Sequence, residues 1–362
     1  MSERMYNFSA GPAVLPVSVL KKAQEELLCL PGCGASILEI SHRSKQFGEI
    51  LAQAKQNVRD LLGVPENYKI LFLQGGALTQ FALIPMNIIR NRDVSADYIV
   101  TGNWSKKSAS EAKTQGKINV IFDNKEEGYV RKPKDEELHT TPGAAYCYYC
   151  ANETIEGIQF PREPKVDLPL VCDASSEIFS RPVDIEKYGI LYACAQKNAG
   201  PAGVTLLIMR DDFVEMSGDD LPSMLSYKKL AEKDSMLNTP PTFGIYIMKL
   251  VTDWLKEEGG LQKMYERNLE KAKLLYDVID ASNGFYHVHG QKEYRSFMNV
   301  SFRLPTEELD KKFQADAKEY NLTSLGGHRS VGGERASIYN AMPREGVVAL
   351  RDFMIDFMKK NA

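Results

Sequence analysis

The chain has 362 residues, a formal net charge of −3 and 26% charged residues. This length is too great for one simple core and predicts a large domain with a smaller one. The balanced charge, without a basic block, gives no indication of nucleic acid or an anionic membrane as a partner. No apolar run approaches the ~18 residues of a membrane span, and residues 1–16 lack the apolar region of a secretory signal. We therefore expect a soluble, cytoplasmic protein.

The N-terminal part alternates between irregular segments and helices. Residues 7–16 are rich in glycine and proline and predict an extended arm, followed by a helix over 18–30 with Ser18 as its N-cap. A second helix is predicted over 47–62, after a polar stretch that contains His42 and Arg43. A histidine–arginine pair at a helix entrance is also typical of a solvated surface, so the residues alone assign it no role.

A glycine pair follows the first predicted strand, residues 69–73. Gly75 and Gly76 precede a helix that extends to about residue 89. A strand, a glycine turn and a helix together can form an anion site, because backbone N–H groups and the positive helix end face the ligand. Two glycines are also common in any turn between a strand and a helix, so this pattern is weak by itself.

Further strands are predicted over 96–104, where the final turn carries Trp104, and over 117–122, 144–150, 168–173, 190–193 and 204–209. Strands that alternate with helices predict an α/β fold with a mostly parallel, doubly wound sheet. In such sheets ligands bind beyond the carboxyl ends of the strands. Thr154, Asp173 and Lys197 all fall at such ends. Trp104 could equally be an ordinary core residue.

The six cysteines include Cys147 and Cys150, whose spacing is also found in redox and zinc motifs. A redox pair normally opens a helix, and zinc would need two further ligands nearby. The small and aromatic residues of 144–150 indicate a buried strand instead. We therefore expect reduced core thiols and no metal site.

Lys197 stands among small and polar residues between two apolar segments, which predicts a tight connection between strands. Desolvation there would lower its pKa and favour the free amine, which can condense with an aldehyde. A solvated loop lysine is the ordinary alternative. Asp173, at the end of the preceding predicted strand, favours the chemical role. A carboxylate that keeps a pyridine nitrogen protonated, with a lysine that carries the aldehyde carbon, is what pyridoxal phosphate needs.

The C-terminal half is predicted to begin with an irregular stretch over 211–242, where Pro240 and Pro241 can neither extend a helix nor enter a central strand. Helices follow over 246–258 and 261–279, with a break at Gly259 and Gly260. The remainder predicts strands over 296–302 and 337–339 and helices over 306–320 and 346–360. We therefore expect a large domain, residues 17–260, and a small α+β domain, residues 261–362, joined by the N-terminal arm 1–16.

Four segments resemble the phosphoserine aminotransferase family of class-V, pyridoxal phosphate-dependent aminotransferases: residues 7–12, 173–176, 195–203 and 327–341. The resemblance extends to the last helix. It implies the fold of aspartate aminotransferase-like enzymes, with a mostly parallel seven-stranded sheet in the large domain. It also implies reversible amino transfer between L-glutamate and 3-phosphohydroxypyruvate, giving O-phospho-L-serine and 2-oxoglutarate. Some relatives use the phosphohydroxythreonine intermediate of vitamin B6 synthesis as a second substrate.

The resemblance further implies roles for single residues in a homodimer with shared active sites. Lys197 and Asp173 are the implied catalytic residues. The other implied cofactor-binding residues are Gly76, Ala77, Leu78, Trp104, Thr154 and Gln196, with Asn238 and Thr239 serving the neighbouring subunit. The family often has Gly-Arg or Ala-Ser at positions 77 and 78, so here the backbone donors remain but a side-chain contact from Leu78 does not.

The implied substrate residues carry positive charge or histidine rings. The distal anionic group of the substrate would meet His42, Arg43, His328 and Arg329, the last two from the partner subunit. Arg335 is the candidate for the α-carboxylate, because a guanidinium matches a carboxylate with two parallel hydrogen bonds.

Two rival functions are consistent with the same fold class. A cysteine desulfurase or lyase would need a reactive cysteine in the C-terminal third, and no cysteine follows Cys194. A non-catalytic binding protein on this fold would be expected to have lost Lys197 or Asp173, and both are present. The aminotransferase interpretation is therefore favoured.

Overall fold

The computed structural model of the chain describes residues 4–218, 220–329 and 331–362. Residues 1–3 of the predicted arm and Ser330 of the C-terminal motif lie outside these ranges. Within them, no helix is long and apolar enough to cross a membrane. The same ranges contain no group of three or more histidine, cysteine, aspartate or glutamate side chains that could hold a metal ion.

The helices are α1 (Val17–Glu26), α2 (Lys45–Leu62), α3 (Gly76–Ile88), α4 (Asn103–Ala112), α5 (Asp211–Glu215), α6 (Tyr227–Glu232), α7 (Thr242–Glu257), α8 (Gly260–Asp280), α9 (Glu307–Ala317) and α10 (Arg344–Asn361). The strands are β1 (Tyr6–Asn7), β2 (Tyr68–Leu73), β3 (Ala96–Val100), β4 (Ile118–Asp123), β5 (Cys147–Cys150), β6 (Asn152–Glu153), β7 (Ile158–Gln159), β8 (Leu170–Asp173), β9 (Tyr188–Cys194), β10 (Thr205–Arg210), β11 (His287–Val288), β12 (Asn299–Arg303), β13 (Leu322–Thr323) and β14 (Glu334–Ser337).

The described residues form a central sheet of seven strands in the order β2-β10-β9-β8-β5-β3-β4. Strand β10 is antiparallel to both of its neighbours, and the other adjacent pairs are parallel. Asp173 at the end of β8 is in register with Cys150 on β5 and with Tyr192 on β9. The carboxyl ends of these three strands therefore form one edge. The prediction of a mostly parallel α/β sheet is confirmed.

Most strands of the central sheet are buried on both faces and are accordingly largely apolar, whereas the edge strand β4 is partly exposed. One core packs α2 and α7 against it, and the other packs α3 and α4 against the opposite face. Cys147 and Cys150 lie on the buried strand β5 as free cysteines, as expected from the small and aromatic residues around them.

A third core lies among α8, α9, α10 and the antiparallel strands β11-β12-β14. Strand β1 of the N-terminal arm pairs in parallel with β13. The separate core and this pairing support the proposed division of the chain at residue 260, with the arm joining the C-terminal part. We keep that division as a proposal.

Several predicted boundaries are wrong by a few residues. Helix α1 begins at Val17 and has Pro16, not Ser18, in the N-cap position, because the Pro16 carbonyl accepts the backbone N–H of Leu20 at 3.1 Å. It ends at Glu26 instead of residue 30. Leu28, beyond this end, is 89% exposed and packs on no core.

The stretch predicted to be irregular, 211–242, contains α5 and α6 and the start of α7. Helix α7 begins directly after Pro240 and Pro241, since a proline at a helix start removes no hydrogen bond that the helix would make. The strand predicted over 337–339 lies earlier, as β14, and ends at Ser337. Its residues pair with β12 from Glu334 opposite Phe302 to Ser337 opposite Asn299. Helix α9 ends at Ala317, and the last predicted turn is a 3₁₀ helix.

A buried acid in the third core gives a prediction about stability. Glu334 is 1% exposed, its Oε1 accepts the side-chain N–H of Gln314 at 2.8 Å, and its Oε2 is buried without a partner among the described residues. Burial raises the pKa of Glu334 from its ordinary 4.5 to about 9. The group's contribution to folding is therefore complete below pH 4.5 and is lost as pH rises towards 9.

We expect Glu334→Gln, which stays neutral, to become progressively more stable than the parent between pH 5 and pH 9, by at most about 1.4 kcal/mol per pH unit. Urea unfolding at several pH values measures the difference. Glu319→Gln, the same substitution at an exposed position, is the matched control. Parallel stability curves for parent and Glu334→Gln would contradict the prediction.

Candidate active site

Lys197 lies in the connection between β9 and β10, as predicted. Its Nζ donates a hydrogen bond of 2.7 Å to Thr154 Oγ1 and lies 5.4 Å from the ring centroid of Trp104. The Thr154 hydroxyl in turn donates to Ser176 Oγ at 3.0 Å. Residues from three separate segments therefore meet at one amine.

Asp173 occupies the carboxyl end of β8 and is 4% exposed. Its Oδ1 accepts the backbone N–H of Ser175 at 2.9 Å. Burial raises the pKa of Asp173, while Lys197 and the hydrogen bonds from Ser175 act in the opposite direction. The predicted acid and the predicted lysine thus share one buried region.

The predicted lowering of the Lys197 pKa is wrong. Burial is the largest single influence and does lower the pKa, but Tyr339, Cys194, Asp173 and Cys150 all favour the charged amine. Together they raise the pKa of Lys197 above its ordinary value of 10.5. The physical reason is that nearby groups that can carry negative charge stabilise the protonated amine by more than desolvation destabilises it.

Trp104 is held by a carboxylate that the sequence reasoning missed. Gly102, which precedes α4, has no side chain to cap the helix, and Glu153 does so from a distant segment. Glu153 Oε2 accepts the backbone N–H of Trp104 at 3.0 Å, and Oε1 accepts the backbone N–H and hydroxyl of Ser105 at 3.0 and 2.6 Å. A Cβ on Gly102 would lie 2.5 Å from Glu153 Cδ, so this approach requires glycine.

Glu156 and Lys132 were missed as well. Glu156 Oε1 accepts the backbone and side-chain N–H groups of Asn103, the first residue of α4. Lys132 is buried, and its Nζ donates to Thr101 Oγ1 at 3.1 Å. In the sequence, the only indication of these two carboxylates is that they flank residues 154–155. No local sequence pattern predicts the burial of Lys132.

The predicted phosphate loop has the geometry of an anion site. Gly75 is the N-cap of α3 and Gly76 its first residue, with φ values of 91° and 66° that favour glycine. In the described part of the chain, Gly75 makes no side-chain capping hydrogen bond at this helix start, and N–H groups at such a position can bind an anion. Leu78 is 48% exposed.

Arg335 on β14 lines a cavity of about 370 Å³ together with Glu156 and His328. The Arg335 Nε is buried and has no hydrogen-bond partner among the residues described. His328 and Arg329 line a neighbouring cleft with Trp104 and Ile155. Ile155 and His328 belong to both spaces, so the cavity of Arg335 adjoins the cleft beside Trp104 and Lys197. Burial, together with Arg335 and Arg329, lowers the pKa of His328.

The N-terminal arm covers the segment of Lys197. The backbone N–H of Ala13 donates to the carbonyl of Gln196 at 2.8 Å, and the Tyr339 hydroxyl donates to the carbonyl of Ala10 at 2.8 Å. A Cβ on Gly11 would lie 3.3 Å from Lys197 Cγ. Gln196 therefore meets the arm through its backbone.

The remaining predicted site residues are not brought to Lys197 within this chain. His42 Nε2 is buried and has no partner among the described residues, and Arg43 is exposed. Asn238 and Thr239 are exposed, and the Asn238 side-chain oxygen accepts a hydrogen bond of 3.3 Å from Gln74, next to the phosphate loop. In the ranges that the structure covers, no hydrogen bond or ion pair joins any of the four to Lys197, Asp173 or Arg335.

Comparison with known proteins decides the family. Residues 5–350 match the family model described as Aminotransferase class-V. The chain belongs to the class-V aminotransferase family.

Its similar relatives within that family share one name. A phosphoserine aminotransferase from Rhodopirellula baltica is 53% identical over 363 residues, covering 99% of this chain and 96% of the relative. One from Geobacillus kaustophilus is 47% identical over 360 residues, covering 99% and 100%. The predicted family resemblance is confirmed.

Solved structures of relatives have the same fold as this class-V aminotransferase. The phosphoserine aminotransferase of Bacillus circulans subsp. alkalophilus has a TM-score of 0.97 and 46% identity, covering all of both chains. A phosphoserine aminotransferase from Trichomonas vaginalis, with pyridoxal phosphate bound, has a TM-score of 0.91 and 40% identity, covering 97% and 100%. The predicted fold is therefore confirmed.

The carboxylate that holds Trp104 gives a prediction about the site. We expect Glu153→Ala to lower the free energy of unfolding by about 2–4 kcal/mol, because two buried N–H groups lose their acceptor. The variant should also shift the emission of Trp104 to longer wavelength, measured in a Trp254→Phe background that leaves one tryptophan. Glu153→Gln keeps one acceptor oxygen, so its stability and emission wavelength should lie between those of the parent and those of Glu153→Ala. Unchanged stability and emission in Glu153→Ala would show that Glu153 does not hold Trp104.

Proposed function

We propose that this chain transfers the amino group of L-glutamate to 3-phosphohydroxypyruvate, giving O-phospho-L-serine and 2-oxoglutarate. The observation that carries the proposal is the meeting of Lys197, Thr154, Asp173 and Trp104 beside a cavity lined by Arg335, whose buried Nε has no partner among the described residues. Full-length relatives named phosphoserine aminotransferase support it. The phosphohydroxythreonine reaction of some relatives is a further candidate activity of the same site.

Pyridoxal phosphate is the cofactor of this proposal, and the residues present fit it. The first turn of α3, at Gly76, Ala77 and Leu78, would face a phosphate with its backbone N–H groups, and its N-cap Gly75 has no side chain to compete with the ligand. Trp104 offers a half-buried ring face. Thr154 and Asp173 would meet the ring oxygen and the ring nitrogen. When bound, the cofactor supplies an aldehyde that condenses with amines and a ring that withdraws electrons from the substrate.

The protein's own groups then perform separate tasks. Lys197 holds the cofactor and, once its amine is free, moves the proton of the substrate Cα. Asp173 keeps the ring nitrogen protonated. Arg335 binds the α-carboxylate, since its buried Nε has no partner among the described residues and a guanidinium matches a carboxylate. The N-terminal arm, in contact with Gln196, excludes water from one side of the lysine.

Binding of the phosphate group requires several positive charges. A phosphate dianion carries about two charges and three acceptor oxygens, which suit guanidinium groups. His328 and Arg329 lie in the cleft beside Trp104 of their own chain, so we assign them to their own site instead of the partner's. This revises the expectation drawn from the family resemblance.

We further propose a cytoplasmic homodimer with shared sites. Arg43, Asn238 and Thr239 are exposed, and His42 Nε2 has no partner in the part of the chain that the structure describes. In this proposal His42 and Arg43 complete the neighbour's substrate site, and Asn238 and Thr239 complete its cofactor phosphate site.

The substrate assignment predicts strong discrimination between two oxoacids. We expect kcat/KM for 3-phosphohydroxypyruvate, with glutamate as donor, to exceed that for hydroxypyruvate by about 100-fold or more, because a desolvated charge pair commonly contributes ~2–5 kcal/mol. Arg329→Leu should reduce this ratio. Arg335→Leu is the matched control, since both oxoacids have the α-carboxylate, and should lower both constants while keeping the ratio. Lys197→Ala should be inactive. Equal use of both oxoacids by the parent would refute the substrate assignment.

Shared sites predict recovery of activity in mixed dimers. A Lys197→Ala chain and an Asn238→Ala/Thr239→Ala chain should each have little activity at limiting pyridoxal phosphate. Co-expressed with different tags and purified as heterodimers, they should contain one doubly defective site and one intact site. We expect about half of the parent's activity per dimer. A purified heterodimer without this recovery would place the two groups in one chain's site.

A further inference from the structure

Glu156 is a buried acid with one unused oxygen. Its side chain is 4% exposed and lines the cavity that also contains Arg335 and His328. Oε1 accepts the backbone N–H of Asn103 at 2.9 Å and its side-chain N–H at 2.7 Å. Oε2 is buried and has no hydrogen-bond partner in the part of the chain that the structure describes.

The hydrogen bonds at Oε1 decide where a proton can sit. A carboxyl group that accepts two N–H donors on one oxygen carries its proton on the other oxygen. Burial, with Glu153 beside it, raises the pKa of Glu156 to about 7. Around neutral pH the group is therefore partly protonated at Oε2, and this O–H has no acceptor among the described residues.

Charged and titratable side chains from several segments surround the Glu156 carboxyl. Glu153, on the same segment, disfavours ionisation, and Lys132 favours it. Tyr129 also faces Glu156. The other titratable residues that line the shared cavity are His287, His289, Arg303, His328, Glu334 and Arg335. The cavity is thus rich in cationic groups and histidines, and Glu156 is one of its two acids.

We propose that Glu156 is a specificity-determining residue of the substrate cavity, where its protonated Oε2 donates a hydrogen bond to an oxygen of the bound substrate's anionic group. The ligand class is a small carboxylate or phosphate anion, and the inference rests on the proposed amino transfer. Ionised Glu156 instead places a negative charge beside that anion. Binding of the anion therefore weakens as pH rises through the titration of this carboxyl.

A purely structural role does not use the whole side chain. Capping of α4 at Asn103 involves Oε1 alone, and the next two residues of that helix are already held by Glu153. A role confined to the cap leaves a buried oxygen unpaired, which costs free energy. A substrate oxygen would complete the hydrogen bonding.

The test is the pH dependence of glutarate binding to the holoenzyme. Glutarate resembles the dicarboxylate substrates but has no amino or oxo group, and its charge is nearly constant between pH 6.5 and pH 8. Calorimetry of the parent should show the dissociation constant rise roughly eightfold over this range. Glu156→Gln keeps an acceptor for Asn103 and a donor at the second position, and should change less than about twofold. Glu156→Ala should bind weakly at both pH values.

The controls separate this inference from the proposed function. Glu319→Gln removes an exposed acid that does not line this cavity, and should keep the parent's pH dependence. Cofactor absorbance and the unfolding temperature verify that each variant is folded and loaded. An active parent that shares its pH dependence with Glu156→Gln would overturn the role of Glu156 alone. A parent without amino transfer to 3-phosphohydroxypyruvate would instead overturn the proposed function.

Discussion

The parallel register of β5, β8 and β9 is the constraint on which the site depends. It aligns Cys150, Asp173 and Tyr192, so that the chain leaves all three strands at one edge of the sheet. Because side chains alternate between the two faces, a slip of one residue would move Asp173 to the opposite face. Burial of both faces under helices makes such a slip costly. The segments of Thr154 and Lys197 extend from this same edge.

Burial makes the electrostatic balance of the site as important as its geometry. Lys197 is desolvated, which by itself would favour the neutral amine, yet its neighbours reverse the direction of the pKa shift. Asp173 shows the opposite competition, in which burial outweighs a nearby positive charge. In both cases the outcome depends on which groups share the low-dielectric region, and not on the ionisable residue itself.

Helix α4 connects the cofactor side of the site to the substrate side. Its first turn is capped by Glu153 and Glu156, which belong to the same loop as Thr154. One short segment therefore fixes Trp104, contacts Lys197 and lines the cavity of Arg335. This arrangement gives a physical route by which protonation of a single carboxyl can affect substrate binding.

The sequence by itself determined the fold class, the family and the central residues Lys197, Asp173 and Thr154, because each lies in a local motif at the end of an apolar strand. The tertiary structure alone decided the caps provided by Glu153, the burial of Lys132, the contact of the N-terminal arm with residue 196 and the direction of the Lys197 pKa shift. The physical reason is distance along the chain. Strand patterns and glycine turns are local, whereas capping from another loop and the electrostatic environment of a buried charge arise only when distant segments pack together.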